Sequence, residues 1–231
     1  MAFSATKTTK GFELVGNKLG IPDNGTEYEM TPSLAVKEGD MLIQTAGKVA
    51  LAAAGATEVL GVAAETKTAH ATTLNKILVY DNAFNIYECS CSDMHDNTVD
   101  SATTTTIVDA ELTMTVDDDC KGARVYIYEG TNKGHVRTVS GFAQATDTIT
   151  FTAPLPVACD TTSKYLLYGE CDDAGASVIN IGTVGVNLKD ENTIDADAAT
   201  DAVDGPLVCL GFDDENAIMR VMLIKHKHNS R

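Results

Sequence analysis

Short apolar runs, closed at both ends by turn-forming residues, recur along the whole chain and restrict its fold more than any other feature. Met41-Leu42-Ile43, Val59-Leu60-Gly61-Val62 and Ile77-Leu78-Val79-Tyr80 are three of them. Val125-Tyr126-Ile127-Tyr128, Tyr165-Leu166-Leu167-Tyr168 and Val221-Met222-Leu223-Ile224 are three more. β-Branched and aromatic side chains suit a pleated surface, and runs this short have the length of strands, not helices. Between them, Ala46-Gly47-Lys48, Asp81-Asn82-Ala83, Thr131-Asn132-Lys133-Gly134 and Asp213-Asp214-Glu215-Asn216 carry hairpin chemistry. No segment sustains an apolar stripe of helical period. The Ala-rich stretch from Val49 to Ala56 has room for a helical turn or two before Gly55 and Thr57 limit it. The chain is predicted to be all-β, made of small β-barrel or β-sandwich units.

Two compositional breaks divide it. Ser92 to Thr106 is polar and ends in a threonine run, and Gly169 to Gly175 is rich in Asp and Gly. These breaks predict an extended N-terminal arm (1–19), an N-terminal β domain (20–106), a central small β-barrel (107–169) and a C-terminal β segment (170–231). If the last segment completes the N-terminal domain, the central unit is an insertion; a linear two-domain arrangement is the simpler alternative. The Asp-rich segment Asp190 to Asp204 reads as a long exposed loop.

Charge is distributed unevenly. The net charge is −16 over 231 residues, yet Lys7, Lys10 and Lys18 oppose only Glu13 in the first twenty positions. Arg220, Lys225, Lys227 and Arg231 close the chain with no acid among them. An acidic body with no Trp and few aromatics argues against nucleic acid as a partner. No apolar run approaches the ~20 residues that span a bilayer, so no membrane is expected. The first residues lack the apolar centre of a signal peptide, which predicts synthesis and retention in a reducing cytoplasm. The six cysteines are therefore expected to be free thiols, mainly buried. Cys209, within Leu207-Val208-Cys209-Leu210, reads as a small core hydrophobe.

The patterns that carry catalysis or cofactor binding are absent from the sequence. No G-x-S-x-G elbow accompanies any of the five histidines, and neither G-x-G-x-x-G nor the phosphate-loop pattern occurs. Gly182-Thr183-Val184-Gly185 sits in an apolar strand pattern and reads as a bulge or bend. His226 and His228 share a strand face without an identifiable third metal ligand, and Lys225 and Lys227 oppose a cation. Asp117-Asp118-Asp119 and the loop bearing Asp195, Asp197, Asp201 and Asp204 depart from the calcium-loop pattern and read as solvated turns. The expectation is no enzyme activity, no catalytic residues, no metal and no cofactor.

What remains are two segmental patterns. Gly134-His135-Val136-Arg137-Thr138-Val139 is followed by Asp147-Thr148-Ile149-Thr150-Phe151, a Pro154-Leu155-Pro156 corner and the strand ending at Tyr168. This order resembles a small β-barrel of tailed-bacteriophage virion proteins. Val36-Lys37-Glu38-Gly39-Asp40-Met41-Leu42, ahead of a hairpin and of Gly61-Val62-Ala63, resembles phage head decoration (capsid cement) proteins. The resemblance implies a virion protein made in the host cytoplasm and carried on the capsid exterior. Its partners would be the major capsid protein and other copies of itself, a trimer being the assembly implied. The basic, threonine-rich beginning and the basic end then become the contacts, with Lys7, Lys10, Phe12, Lys225 and Lys227 as the expected capsid-binding residues. A phage tail or adaptor component and a surface carbohydrate-binding module are the alternatives.

Overall fold

The computed structural model describes residues 11–90, 95–112, 114–168, 184–188, 191–192, 194–195 and 205–224. All regular structure in them is β apart from one short 3₁₀ turn at Gln144–Thr146. The first third of the chain supplies β1 (Glu13–Asn17), β2 (Thr26–Glu29), β3 (Ala35–Val36), β4 (Met41–Thr45), β5 (Lys48–Leu51), β6 (Gly61–Ala63), β7 (Lys67–Thr68), β8 (Lys76–Tyr80) and β9 (Asn85–Ser90). The middle supplies β10 (His95–Thr98), β11 (Ser101–Ala102), β12 (Thr106–Val108), β13 (Arg124–Glu129), β14 (Val136–Ala143), β15 (Thr148–Phe151) and β16 (Lys164–Tyr168). The last part supplies β17 (Val184–Leu188), β18 (Ile194–Asp195), β19 (Leu207–Asp213) and β20 (Ile218–Leu223).

These strands form three principal antiparallel sheets and a two-stranded ladder, β3–β7. The order is β2-β8-β6-β4-β5 in the first sheet and β10-β16-β13-β14-β15-β12-β11 in the second. The third, β1-β9-β20-β19-β17-β18, joins the two ends of the described chain. β20 pairs with β9 from Ile218↔Ser90 to Met222↔Ile86, so residues 95–168 enter the sequence between two strands that are neighbours in space. The polar stretch 92–106, which reads as a joint, supplies strands to the middle sheet instead: β10 pairs with β16, and β12 with β15. Cross-strand pairing supplies what the polar side chains cannot, because each backbone N–H and C=O gains a partner whatever its residue.

Within the expected arm 1–19, residues 13–17 form a paired strand. Phe12 and Leu14 alternate with Glu13, a period-two pattern, and β1 pairs with β9 along Glu13–Asn17. Phe12 N donates to Gly39 O at 3.0 Å. Gly39 has φ +90, and a Cβ there would meet Phe12 O at 3.2 Å, so glycine is needed both for the turn and for this approach.

The turns divide by type. Ala46 and Gly47 both have positive φ and close the β4–β5 hairpin, as the two-residue loop requires. Thr131–Gly134 joins paired strands β13 and β14, and Asp213–Asn216 leads from β19 into β20. Asp81-Asn82-Ala83 turns without making a hairpin, because β8 belongs to the first sheet and β9 to the third. The Ala-rich stretch starts within strand β5, at residues 49–51, and continues through a turn at Ala54–Gly55, with no helix: Val49 is fully buried, and that burial outweighs the helix preference of alanine. At the Gly182–Gly185 motif, the β17 register against β19 shifts between Val184 and Val186. Residues 182 and 183 lie outside the described residues.

Three apolar cores result. One, under the first sheet, contains Met30, Val36, Leu42, Val49, Ile77 and Val79. A second lies inside the middle sheet around Ile107, Val125, Ile127, Phe142, Ile149 and Tyr165. The third joins all parts of the chain, packing Phe12, Met41 and Tyr87 with Tyr126, Leu166 and Tyr168 from the middle sheet and Leu207, Met219 and Val221 from the last strands. Alternation explains the division: Val125 and Ile127 face the inner core, and Tyr126 faces the shared one.

Candidate functional site

The joint between the middle sheet and the β19–β20 hairpin gathers charged and aromatic side chains from both. Arg124, the first residue of β13, is aimed across the joint by strand alternation. Its Nε donates to Asp214 Oδ1 at 2.8 Å and its Nη2 to Asp214 Oδ2 at 3.1 Å, a bidentate pair. Tyr168 donates its hydroxyl to the same carboxylate and stacks edgewise on Phe212, 6.5 Å between ring centres. The guanidinium lies 4.6 Å from the Phe212 ring centre, in cation–π position. Tyr126 donates to Glu215 Oε1 at 3.3 Å.

Electrostatics at this joint follow from burial and pairing. Burial alone would lower the Arg124 guanidinium, but its bonds with Asp214 and Tyr168 win, and the net shift is upward. Burial, followed by the bond to Asp214, raises the Tyr168 hydroxyl well above the usual phenol range. Beside the pair lies a cleft of about 380 Å³, lined by Tyr126, Gly134, Val136, Phe212, Arg220 and the carboxylate run Asp213–Glu215. Its lining is mainly acidic, with Phe212 and Tyr126 as an aromatic wall, and Asp214 is already paired with Arg124 and Arg220 with Glu88.

A second polar cluster is shut inside the middle sheet. Asp109 is fully buried, and its Oδ2 lies 3.0 Å from His95 Nε2 and 2.5 Å from the Tyr165 hydroxyl. Asn97 Nδ2 reaches both carboxylate oxygens at 3.0 and 3.1 Å, and Glu111 N donates to Oδ1 at 2.9 Å. Burial alone would push this carboxyl up; the bonds from His95 and Tyr165, with the Glu111 N–H, reverse the sign and hold it below the usual range. A His–Asp pair invites a catalytic reading, but these acceptor positions are spent on fixing β10, β16 and the turn after β12 to one another. The pair is a structural tie.

The acidic triplet Asp117–Asp119 is spent similarly. Asp117 Oδ1 accepts from Gln144 N, Asp118 Oδ1 from Phe142 N and Asp119 Oδ2 from Thr115 N. Among the described residues, no group of three or more His, Cys, Asp or Glu side chains is placed to hold a metal ion. Cys89, Cys120, Cys159 and Cys209 are free and buried. Burial raises the Cys120 thiol to about 12 and the Cys209 thiol to about 11, far from the thiolate needed for reactivity. Cys91 and Cys171 lie outside the described residues.

Of the expected capsid-binding residues, Lys7, Lys10, Lys225 and Lys227 lie outside the described residues. Phe12 is 2% exposed and packs in the shared core, so its side chain supports the fold and is not presented to a partner. Its burial follows from the Phe12/Leu14 alternation, which the threonine-rich residues before it conceal. Sequence reasoning missed the Arg124–Asp214 joint, because an ion pair between residues so far apart in the chain leaves no local pattern. His226, His228, and the segment carrying Asp197, Asp201 and Asp204 fall outside the described residues. The side chain of Asp195, at the end of β18, does as well. In comparisons with known proteins, no family model, curated protein or solved structure matches this chain.

Proposed function

We propose that this chain is a non-enzymatic virion protein that binds the outer surface of a bacteriophage capsid, with the major capsid protein as its partner. One observation carries the reading. The two segments that resemble head decoration proteins, Val36–Leu42 and Gly61–Ala63, are hydrogen-bonded to each other. Gly39 N donates to Ala63 O at 3.0 Å and Ala63 N to Asp40 O at 2.9 Å, while Met41 pairs with Val62 and Leu42 with Gly61. The two matched segments are therefore neighbours in space, joined where the turn before β4 and β4 itself meet β6. A bidentate ion pair that ties the middle sheet to the terminal hairpin also suits a part that must resist deformation.

The basic segments make the contact in this proposal, through Lys7 and Lys10 before the first strand and Lys225 and Lys227 after the last. Their charge is opposite to that of the body, so they seek an acidic partner surface. Co-sedimentation with capsids, followed by imaging of particles, tests the reading. Intact protein is expected on the capsid exterior, with a several-fold loss of binding on deletion of residues 1–10. A tail position, or no association with capsids, overturns it.

A further inference from the structure

Asn24 and Gly25 form the one Asn-Gly pair of the chain, at the end of the connection from β1 to β2. Asparagine is a thermolabile residue, and a following glycine makes it more so. The glycine nitrogen can attack the asparagine side-chain carbonyl carbon, and no Cβ hinders its approach. Asn24 is exposed, and among the described residues no hydrogen bond holds its side chain. Gly25 is fixed by packing. Its φ is +71, and a Cβ there would meet Leu78 Cγ at 2.9 Å and Val79 O at 3.0 Å. The fit of this turn against β8 therefore demands the glycine, and the lability comes with it.

The attacking nitrogen is restrained in the folded chain. Gly25 N donates to Asp23 Oδ1 at 2.8 Å, a side-chain turn with Asn24 at its centre. Asp23 is held in its turn, because Oδ2 accepts from Asn85 Nδ2 at 2.5 Å and from Asn82 N at 3.3 Å. Asn85 is fully buried in β9, so the third sheet anchors the carboxylate and the carboxylate anchors the Gly25 N–H. To react, that nitrogen must give up its proton and move to Asn24 Cγ. The bond to Asp23 opposes the movement, and the negative charge beside it opposes the loss of the proton.

We propose that Asn24 is a site of spontaneous deamidation and that Asp23 sets its rate in the folded protein. The Gly25 nitrogen bonds to Asn24 Cγ, and the side-chain nitrogen leaves as ammonia with the proton that Gly25 loses. The ring so closed is a succinimide. Water, the only co-reactant, opens it at either carbonyl to leave aspartate or isoaspartate at position 24, with no oxidation or reduction. Both products add a negative charge beside Asp23, and isoaspartate also lengthens the main chain by one carbon. The next residue, Thr26, pairs with Val79 and donates its hydroxyl to Asp81 Oδ1 at 3.1 Å, so the change reaches the β2–β8 ladder. The inference is independent of capsid binding, because it concerns the chemistry of the protein alone.

Timed incubation of the full chain in neutral buffer, then digestion and mass spectrometry of the peptide holding residue 24, tests it. The readout is the mass gained when NH is replaced by O, with isoaspartate separated from aspartate by chromatography. Slow conversion at Asn24 is expected in the folded protein, and conversion several-fold faster in urea, where the turn is lost. Asp23→Ala is expected to speed conversion several-fold in the folded state and to leave the rate in urea unchanged. Asn24→Gln is expected to abolish the mass gain in this peptide. Urea unfolding curves show whether Asp23→Ala keeps the fold, and the comparison of folded with unfolded unaltered chain needs no variant. No conversion at Asn24 in either state, equal rates in the folded and unfolded chain, or an unchanged rate in folded Asp23→Ala overturns the proposal.

Discussion

Arg124 and Asp214 form a bidentate ion pair between the inserted middle sheet and the terminal hairpin, with contacts of 2.8 and 3.1 Å. Both side chains are about three-quarters buried, at 26% and 25% exposure, and the Phe212 ring covers one face of the guanidinium. Arg220 and Glu88 also approach to 2.7 Å; Glu88 is 15% exposed, but Arg220, the charge left behind when Glu88 is removed, is 50% exposed and reaches water. Water and salt screen an exposed pair to about 0–1 kcal/mol. A partly buried charge left alone costs more, because its lost partner is not replaced by solvent.

Asp214→Ala is therefore expected to destabilise the protein by about 1.5–3 kcal/mol, the range for hydrogen bonds to charged groups. Glu88→Ala should cost less than about 1 kcal/mol. Urea denaturation of the two variants checks the ordering. Equal losses would show that burial of the joint does not raise the cost of leaving its arginine unpaired.

Two buried carboxylates are expected to respond to pH with opposite signs. Asp109 has a lowered folded-state pKa, so its contribution is present above the ordinary carboxylate value of about 3.9 and is lost as pH falls through the lower folded value. Asp40 is raised, first by burial, and its Oδ1 has no hydrogen-bond partner while Oδ2 accepts from Lys37 N at 2.7 Å. Its charged form is a liability at neutral pH that disappears as pH falls through the folded value. Asp109→Asn should destabilise at pH 7 by about 1–3 kcal/mol. Asp40→Asn should stabilise at pH 7, with the gain vanishing towards pH 4. Unfolding free energies across that range would falsify the assignment if both substitutions acted alike.

Gly61 sits in β6 between β4 and β8, where an added Cβ would overlap Tyr80 O and approach Val79 Cγ1 to 2.9 Å. Gly61→Ala is expected to cost about 1–3 kcal/mol through overpacking against backbone that cannot move without breaking the ladder. Phe12→Ala, which removes a buried ring from the shared core, should cost about 3–5 kcal/mol. Thermal unfolding of both variants measures the effect. An unchanged midpoint for Phe12→Ala would place that ring outside the core.

Thiol titration distinguishes buried from reactive cysteines. Cys89, Cys120, Cys159 and Cys209 should react slowly in the native protein, and denaturant should release close to the full complement of six thiols. Fast native labelling of Cys120, whose thiol is pushed up to about 12, would contradict its burial.

The sequence by itself determined the all-β class, because turn-bounded runs such as Ile77–Tyr80 and Tyr165–Tyr168 can bury their side chains only as strands. It also determined the Ala46–Gly47 hairpin, since two successive positive φ values are a local demand. It did not determine that Asp81–Phe84 passes between sheets, that β10 joins β16, or that Arg124 meets Asp214. Strand pairing uses backbone groups common to all residues, so a polar strand such as His95–Thr98 carries little local signal. The burial of Phe12 and the Asp109 tie likewise depend on which surfaces the chain brings together. Periodicity fixes which side chains share a face, and only tertiary packing decides what that face meets.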